Sequence, residues 1–370
     1  SGPVTLSGNS VITVGALANN ANNINNLTNN DGTTNTYGNM TISGVINSLT
    51  GKNYLLSKYG NATLTISGNN STSSIIGIKA GGGTTILADL NSMPTSAYWE
   101  AGGSSSDTSI LKLGLNGGDY HLSSINVSGY NQLSAADGGT GTLTLDQGGQ
   151  VTSVPTKNFG VNTGATLKIG ADGGSTAFYL IQATATNSRN IGVFGAGNVV
   201  MNSVVQEDPT SGYVGGFVHS GTGTMTFNAA NIYNGTNTIS AGTMKLGTAN
   251  ATLGNSGVIN FGTNGTLSGI GGNTGQGNGT VDVSIASGST NFNFNTVRGN
   301  GTVVGNVTVN SNLFAYSVNT TTVTNVDPIT LTNIITTYST TNNGVVSVTG
   351  NLSLASTLAT TLLINTNGGS

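Results

Sequence analysis

The chain has 370 residues, nine basic and twelve acidic side chains and a net charge of -3, with only 6% of residues charged against about 25% in an ordinary soluble domain. It has no Cys, which excludes disulfide staples and thiolate metal sites. Its basic residues stand singly from Lys52 to Arg298, so nothing is built to neutralise a phosphate backbone, and no nucleic acid partner is expected.

Fifty-eight Gly, 51 Asn and 5 Pro accompany a 35% hydrophobic content. Disorder normally comes with few apolar residues and high charge. Here the apolar residues fall in phase with one another, which argues for ordered repetition. No apolar run reaches the 18 residues of a membrane-spanning helix. The start, SGPVTLSGNS, lacks the basic and apolar regions of a signal peptide. Either the chain is cytosolic, or its targeting segment has been removed or lies outside it.

In chain order, residues 1–37 read as an atypical N-terminal cap or docking segment. Their Asn tract, Ala18 to Tyr37, repeats Ala, Ile and Leu every three or four positions, yet Asn is a poor helix-interior residue, and strand with loop is the alternative. Residues 38–220 read as an irregular solenoid. Its kernels include GNMTISGVI from Gly38, GNATLTISGNN from Gly60, GTGTLTLDQGG from Gly139 and TGATLKIG from Thr163. Two stretches break the repeat and are expected to project as excursions: 91–120, with the only Trp, and 179–218, with the turn signal Asp208-Pro209. Residues 221–370 read as a regular solenoid, with tighter kernels such as GTGTMTFNAAN from Gly221 and AGTMKLG from Ala241.

A shared kernel, Gly-x-(Leu/Met/Val)-x-(Ile/Leu/Phe/Val), or a close variant of it, recurs in eleven stretches. A four-residue strand is unstable alone. Stacked in parallel about 4.8 Å from like strands, it pairs its backbone and buries a continuous apolar row. Gly accepts positive φ at corners, and Asn tolerates the left-handed region better than most residues. Asn and Thr can also form ladders from coil to coil. The pattern predicts an all-β, right-handed parallel β-helix of roughly 15 coils and on the order of 70 Å. Met225, Phe227, Ile239, Met244, Leu246, Ile259, Phe261, Leu267, Val281 and Val283 are expected to face inward, and Ile232 reads as part of the same alternation. A β-sandwich also predicts short strands with Gly turns, but not this recurrence.

Catalytic signals are weak. His121 and His219 each have a Ser nearby, Ser123 and Ser220, as any His in a Ser-rich chain would. No GxSxG elbow is present. Glycan-cleaving sites need two or three acids on one face. Only Glu207 with Asp208, and Asp137 with Asp146, come close, and beside Pro209 the former pair reads as a turn. Two separated His without Cys do not space a zinc site. No catalytic residue, metal or cofactor is expected. Exposed aromatics are better candidates for contact, since an aromatic can stack on a sugar or anchor a protein. Tyr98, Trp99, Phe194, Tyr213 and Phe217 form the candidate contact surface, with plugging of wide corners as their structural alternative.

The stretch from Gly221 to Gly247 resembles the autotransporter-associated β-strand repeat of bacterial surface passengers. Gly223, Met225, Phe227, Asn231, Tyr233, Gly235, Thr236, Ile239, Gly242, Met244 and Leu246 carry the match, and Ala229 or Ala230 replaces a family Gly. The stretches RGNGTVVGNVTVNSNLFA from Arg298 and VVSVTGNLSLASTLATTLLINTN from Val345 look like the end of such a passenger. The resemblance covers Gly221 to Gly368, about half the chain. It implies a β-helix secreted across the outer membrane and displayed at the bacterial cell surface, without implying an activity. Its partners would be a host-cell, glycan or neighbouring-cell ligand, or other copies of the chain. Three functions stay open: a non-enzymatic adhesive or shielding rod, a self-assembling surface-layer or filament subunit, and a glycan-active enzyme on the same fold.

Overall fold

The computed structural model describes residues 2–14, 38–70, 74–75, 77–88, 98–101, 109–115, 117–122, 125–127, 131–134, 140–146, 149–151, 156–173, 176–181, 189–210, 212–262, 279–287, 292–315, 346–354 and 361–363. Among these residues the strands form sheets of two, fourteen, nine and eight members, and their pairings are parallel. Successive strands fall in different sheets, except the last two, Leu352–Leu354 and Thr361–Leu363, which both pair with Val307–Ala315. Asp119–Leu122 lies in the nine-stranded sheet, Ile125–Val127 in the eight-stranded, Asn131–Ser134 in the fourteen-stranded, and Gly141–Leu145 is back beside Asp119–Leu122. The chain is an all-β parallel β-helix. At about 4.8 Å per strand, its longest sheet extends on the order of 60 Å.

Alternation decides the interior. Along the nine-stranded sheet one register row runs Tyr120, Leu143, Leu167, Val199, Met225, Met244, Val281, Val303, and each of these side chains is buried. Gly223–Asn228 and Gly242–Gly247 are neighbours in parallel, with Met225 opposite Met244 and Phe227 opposite Leu246. The expected inward residues are buried, and Leu267 lies outside the described residues. Ile232 is a correction: it is 47% exposed, and Tyr233 beside it is fully buried. The Tyr233 hydroxyl donates to Asn237 Oδ1 at 2.7 Å, and Asn237 Nδ2 donates to the Leu253 carbonyl at 2.9 Å. Satisfying the phenol inside the coil lets the larger ring take the core position, and burial pushes its pKa well above the usual phenol range.

The Asn content also finds a use. Asn9, Asn39, Asn198 and Asn306 each accept through Oδ1 a backbone N–H one coil on, from Leu55, Thr63, Thr224 and Asn351 at 3.0–3.2 Å. Asn70 and Asn231 are fully interior versions. Asn231 Oδ1 accepts from Val205 N at 2.8 Å, while its Nδ2 donates to the Ala229 and Thr252 carbonyls at 2.9 and 2.7 Å. Asn70 repeats the arrangement with Ile46 N and the Gly68 carbonyl. These side chains satisfy backbone groups where a coil turns and the strand ladder lapses.

Two expected departures from the coil run differently. Tyr98–Ala101, Ser109–Leu113 and Asp119–Leu122 are strands in the three main sheets, and so are Arg189–Phe194, Asn198–Met201, Val204–Glu207 and Gly215–His219. Irregular composition there coexists with regular pairing, because backbone bonds between coils ask little of side-chain identity beyond the inward row. Among the described residues of the second stretch, strand gives way between Glu207 and Gly215, and 182–188 lie outside the described residues. At the N-terminal end, Val4–Leu6 and Ser10–Thr13 already pair as coil strands, and the Asn tract lies outside the described residues.

Close approach of coils makes some glycines obligatory. A methyl group on Gly223 would sit 1.8 Å from the Gly197 carbonyl oxygen one coil away. Gly223→Ala is expected to cost about 1–3 kcal/mol of stability through overpacking against backbone. Gly8→Ala, where a methyl meets nothing within 4 Å, should change little. Urea unfolding of both variants checks this, and equal midpoints would refute the steric account.

Candidate functional site

Of the five aromatic candidates, the structure keeps Tyr213 at the surface, 38% exposed. Phe217 is corrected. It is 1% exposed and meets Phe227 and Tyr233 edge-on, with ring centroids 5.4 Å away in each case. Its strand, Gly215–His219, is buried along its whole length, so Phe217 is a core residue with no face left for a partner. Phe194 is half-buried, and its ring lies over Gly160, where a methyl group would approach to 2.6 Å. Tyr98 and Trp99 stand in register with Gly77 and Ile78; their side chains lie outside the described residues.

Val214 at 43% and Ile232 at 47% are exposed as well; in the sequence Val214 carried no signal and Ile232 read as inward. Glu207 holds the segments that carry them. One carboxylate oxygen accepts from Gly215 N at 2.9 Å and Asn234 N at 2.7 Å, and the other accepts from Asn234 Nδ2 at 3.0 Å. Asn255 Nδ2 continues the ladder to Asn234 Oδ1 at 3.3 Å. Asp208, by contrast, accepts from the Thr210 amide and hydroxyl at 2.9 and 2.6 Å, closing the turn at Pro209. Glu207 and Asp208 are therefore separately engaged in local structure. Glu207 thereby ties the segment that follows Tyr213 and Val214 to the one that follows Ile232. A sequence signal did exist: Asp-Pro and Gly212 marked the turn.

A polar line crosses the outer face of the nine-stranded sheet. His121 Nδ1 lies 2.8 Å from Asp146 Oδ1, with both side chains exposed, and this bond raises the His121 pKa. Lys168 Nζ donates to Asp172 Oδ2 at 2.9 Å. Asn202 Nδ2 donates to Asp172 Oδ1 at 2.8 Å, and Asn228 Nδ2 to Asn202 Oδ1 at 2.7 Å. The Lys168 bond, helped by Asn202, lowers the Asp172 pKa. His121–Asp146 is an exposed cross-coil pair and Lys168–Asp172 a local one, each of modest energy, while the buried Asn202 joins one coil to the next. Ser123 and Asp137, considered as partners from sequence, lie outside the described residues. Among the described residues, no three His, Cys, Asp or Glu side chains are placed to hold a metal ion.

No protein-family model, curated protein or solved structure matches this chain. Its site must be read from its own geometry. Two buried polar groups stand out there. Lys58 is fully buried, and its ammonium donates to the carbonyls of Gly60, Ala62 and Gly82 at 2.5–2.6 Å. His219 is 1% exposed, with Nε2 3.0 Å from the Gly223 carbonyl, and burial lowers its pKa. Neither faces solvent, so neither can meet a substrate. Among the described residues, no helix is long and apolar enough to cross a membrane.

Proposed function

We propose that the chain is a non-enzymatic structural or adhesive rod of a bacterial cell surface, which presents or shields that surface by its length. The observation that carries this reading is the unbroken parallel stack, whose side chains are spent on holding coil to coil. A rod of this kind has the rigidity that presentation needs. The resemblance of Gly221 to Gly247 to passenger repeats supports a surface location. Contact is made at the corner of Tyr213, Val214 and Ile232, with Tyr98 and Trp99 as further candidate anchors. Contact through exposed apolar side chains is made by burial, so its affinity depends weakly on salt.

Replacing Tyr213, Val214 and Ile232 together by Ser tests this. Exposed substitutions of this sort leave stability within about 0.5 kcal/mol each, while binding to cells or glycans should fall about tenfold or more. Undiminished binding with the rod still folded would move the contact elsewhere. Hydrolysis of a polysaccharide or peptide panel that vanishes on changing His121 or Glu207 would overturn the non-enzymatic reading.

Self-assembly is the second reading. It is favoured by Val11, Met40 and Leu49 in the first described coils and Leu352 in the last, each at least 40% exposed. Concentration-dependent filaments in electron micrographs would place it first.

A further inference from the structure

His219 is a polar ring in an apolar stack. Its register row runs Val193, His219, Ile239, Phe261, and all four are at most 3% exposed. Nε2 points at the Gly223 carbonyl, which also accepts the amide of Thr243 one coil on at 3.1 Å. A carbonyl can only accept, so Nε2 carries the proton and Nδ1 is left with its lone pair. That Nδ1 is buried and has no hydrogen-bond partner. The nearby Val193 carbonyl already takes the amides of Ser220 and Gly221 at 2.8 and 3.2 Å.

In the closed coil there is little space around the ring. Gly242, at φ +63°, packs so closely that a methyl there would lie 2.4 Å from the Gly221 and Gly223 carbonyls and 2.9 Å from His219 Nε2. The neighbouring strands carry two charged residues, Arg189 and Lys245. Arg189 pairs at the opposite strand end with Gly215. Lys245 alternates with the buried Met244 and Leu246 and so faces outward. Burial is the leading influence on the proton, opposed by the Gly223 and Val193 carbonyls alone.

We propose that His219 is an acid-sensitive latch: in mild acid its protonation opens the coil from Gly215 to Leu246 and puts a joint in the middle of the rod. The closed coil holds a neutral imidazole, whereas an opened coil exposes one that takes a proton below about pH 6.5. The open state then binds more protons, so acid favours it. The closed coil's advantage is complete above that pH and is lost as pH falls towards the lowered pKa of the closed state. A solenoid is held by nearest-neighbour coils, so opening one uncouples the two flanks without unfolding either.

Hydrogen exchange of the whole chain at pH 7.5, 6.5 and 5.5 tests this, corrected for the intrinsic pH dependence of amide exchange. Opening of Gly215–Leu246 should grow by up to about tenfold per pH unit below 6.5, while Gly141–Ile169 stays protected. His219→Leu should abolish the growth. Equal pH dependence in the two regions, or growth that persists in the variant, overturns the proposal. If the variant does not fold, histidine-selective NMR of the unaltered chain decides. His219 should titrate only as the coil opens, and titration near 6.5 with the coil closed refutes the latch.

Discussion

Phe217→Ala is expected to lower the unfolding free energy by about 3–5 kcal/mol. The residue is 1% exposed and sits edge-on between Phe227 and Tyr233. Truncation removes both aromatic contacts and leaves a cavity. Collapse around that cavity is restricted, because the coils on either side are held at strand spacing by their own backbone bonds. Asn237, opposite Phe217 in register, is itself fixed by Tyr233 and the Leu253 carbonyl. Phe217→Leu keeps most of the volume and should cost less than about 1.5 kcal/mol. Urea unfolding followed by far-UV circular dichroism reads both. A loss below about 1 kcal/mol for the Ala variant would show that Phe217 does not belong to the core.

Lys58→Met is expected to destabilise by about 2–5 kcal/mol, and here the sign is the test. Burying an ammonium is expensive, and apolar replacement of a buried charge is often neutral or stabilising. At this position, however, the ammonium is the donor for three carbonyls at a coil corner, those of Gly60, Ala62 and Gly82. Methionine keeps the stem and removes all three bonds. Each carbonyl left unmatched in a buried place costs about 1–3 kcal/mol, and together they outweigh the recovered desolvation. A raised denaturation midpoint for Lys58→Met would reverse this assignment and make the lysine a net cost to the fold.

The strand positions and the inward row were readable because they are local. Met225 with Phe227, and Met244 with Leu246, alternate with Thr and Lys between Gly corners. Period two on a pleated backbone sends them to one face whatever else the chain does. The exposure of the Tyr213 corner was half readable, from Asp208-Pro209 and Gly212. The burial of Phe217 was not, since an aromatic after Gly-Gly looks the same whether it plugs a core or crowns a loop.

The amino-acid sequence by itself determined that this protein is a stack of short strands with a single apolar interior, through a repeated pattern that needs no knowledge of distant residues. Tertiary structure alone decided which groups meet across coils. Asn231 finds Val205, Lys58 finds the Gly82 carbonyl, Asn202 finds Asp172, and His121 finds Asp146. These partners lie 24 to 30 residues apart, and the loops between them set how far along the chain one coil must run to close on the last. It also decided between adjacent residues of similar apolarity: Tyr233 turned inward and Ile232 outward, because only the interior offered Asn237 to the phenol. Local alternation places side chains on a face; closure of the coil chooses their partners.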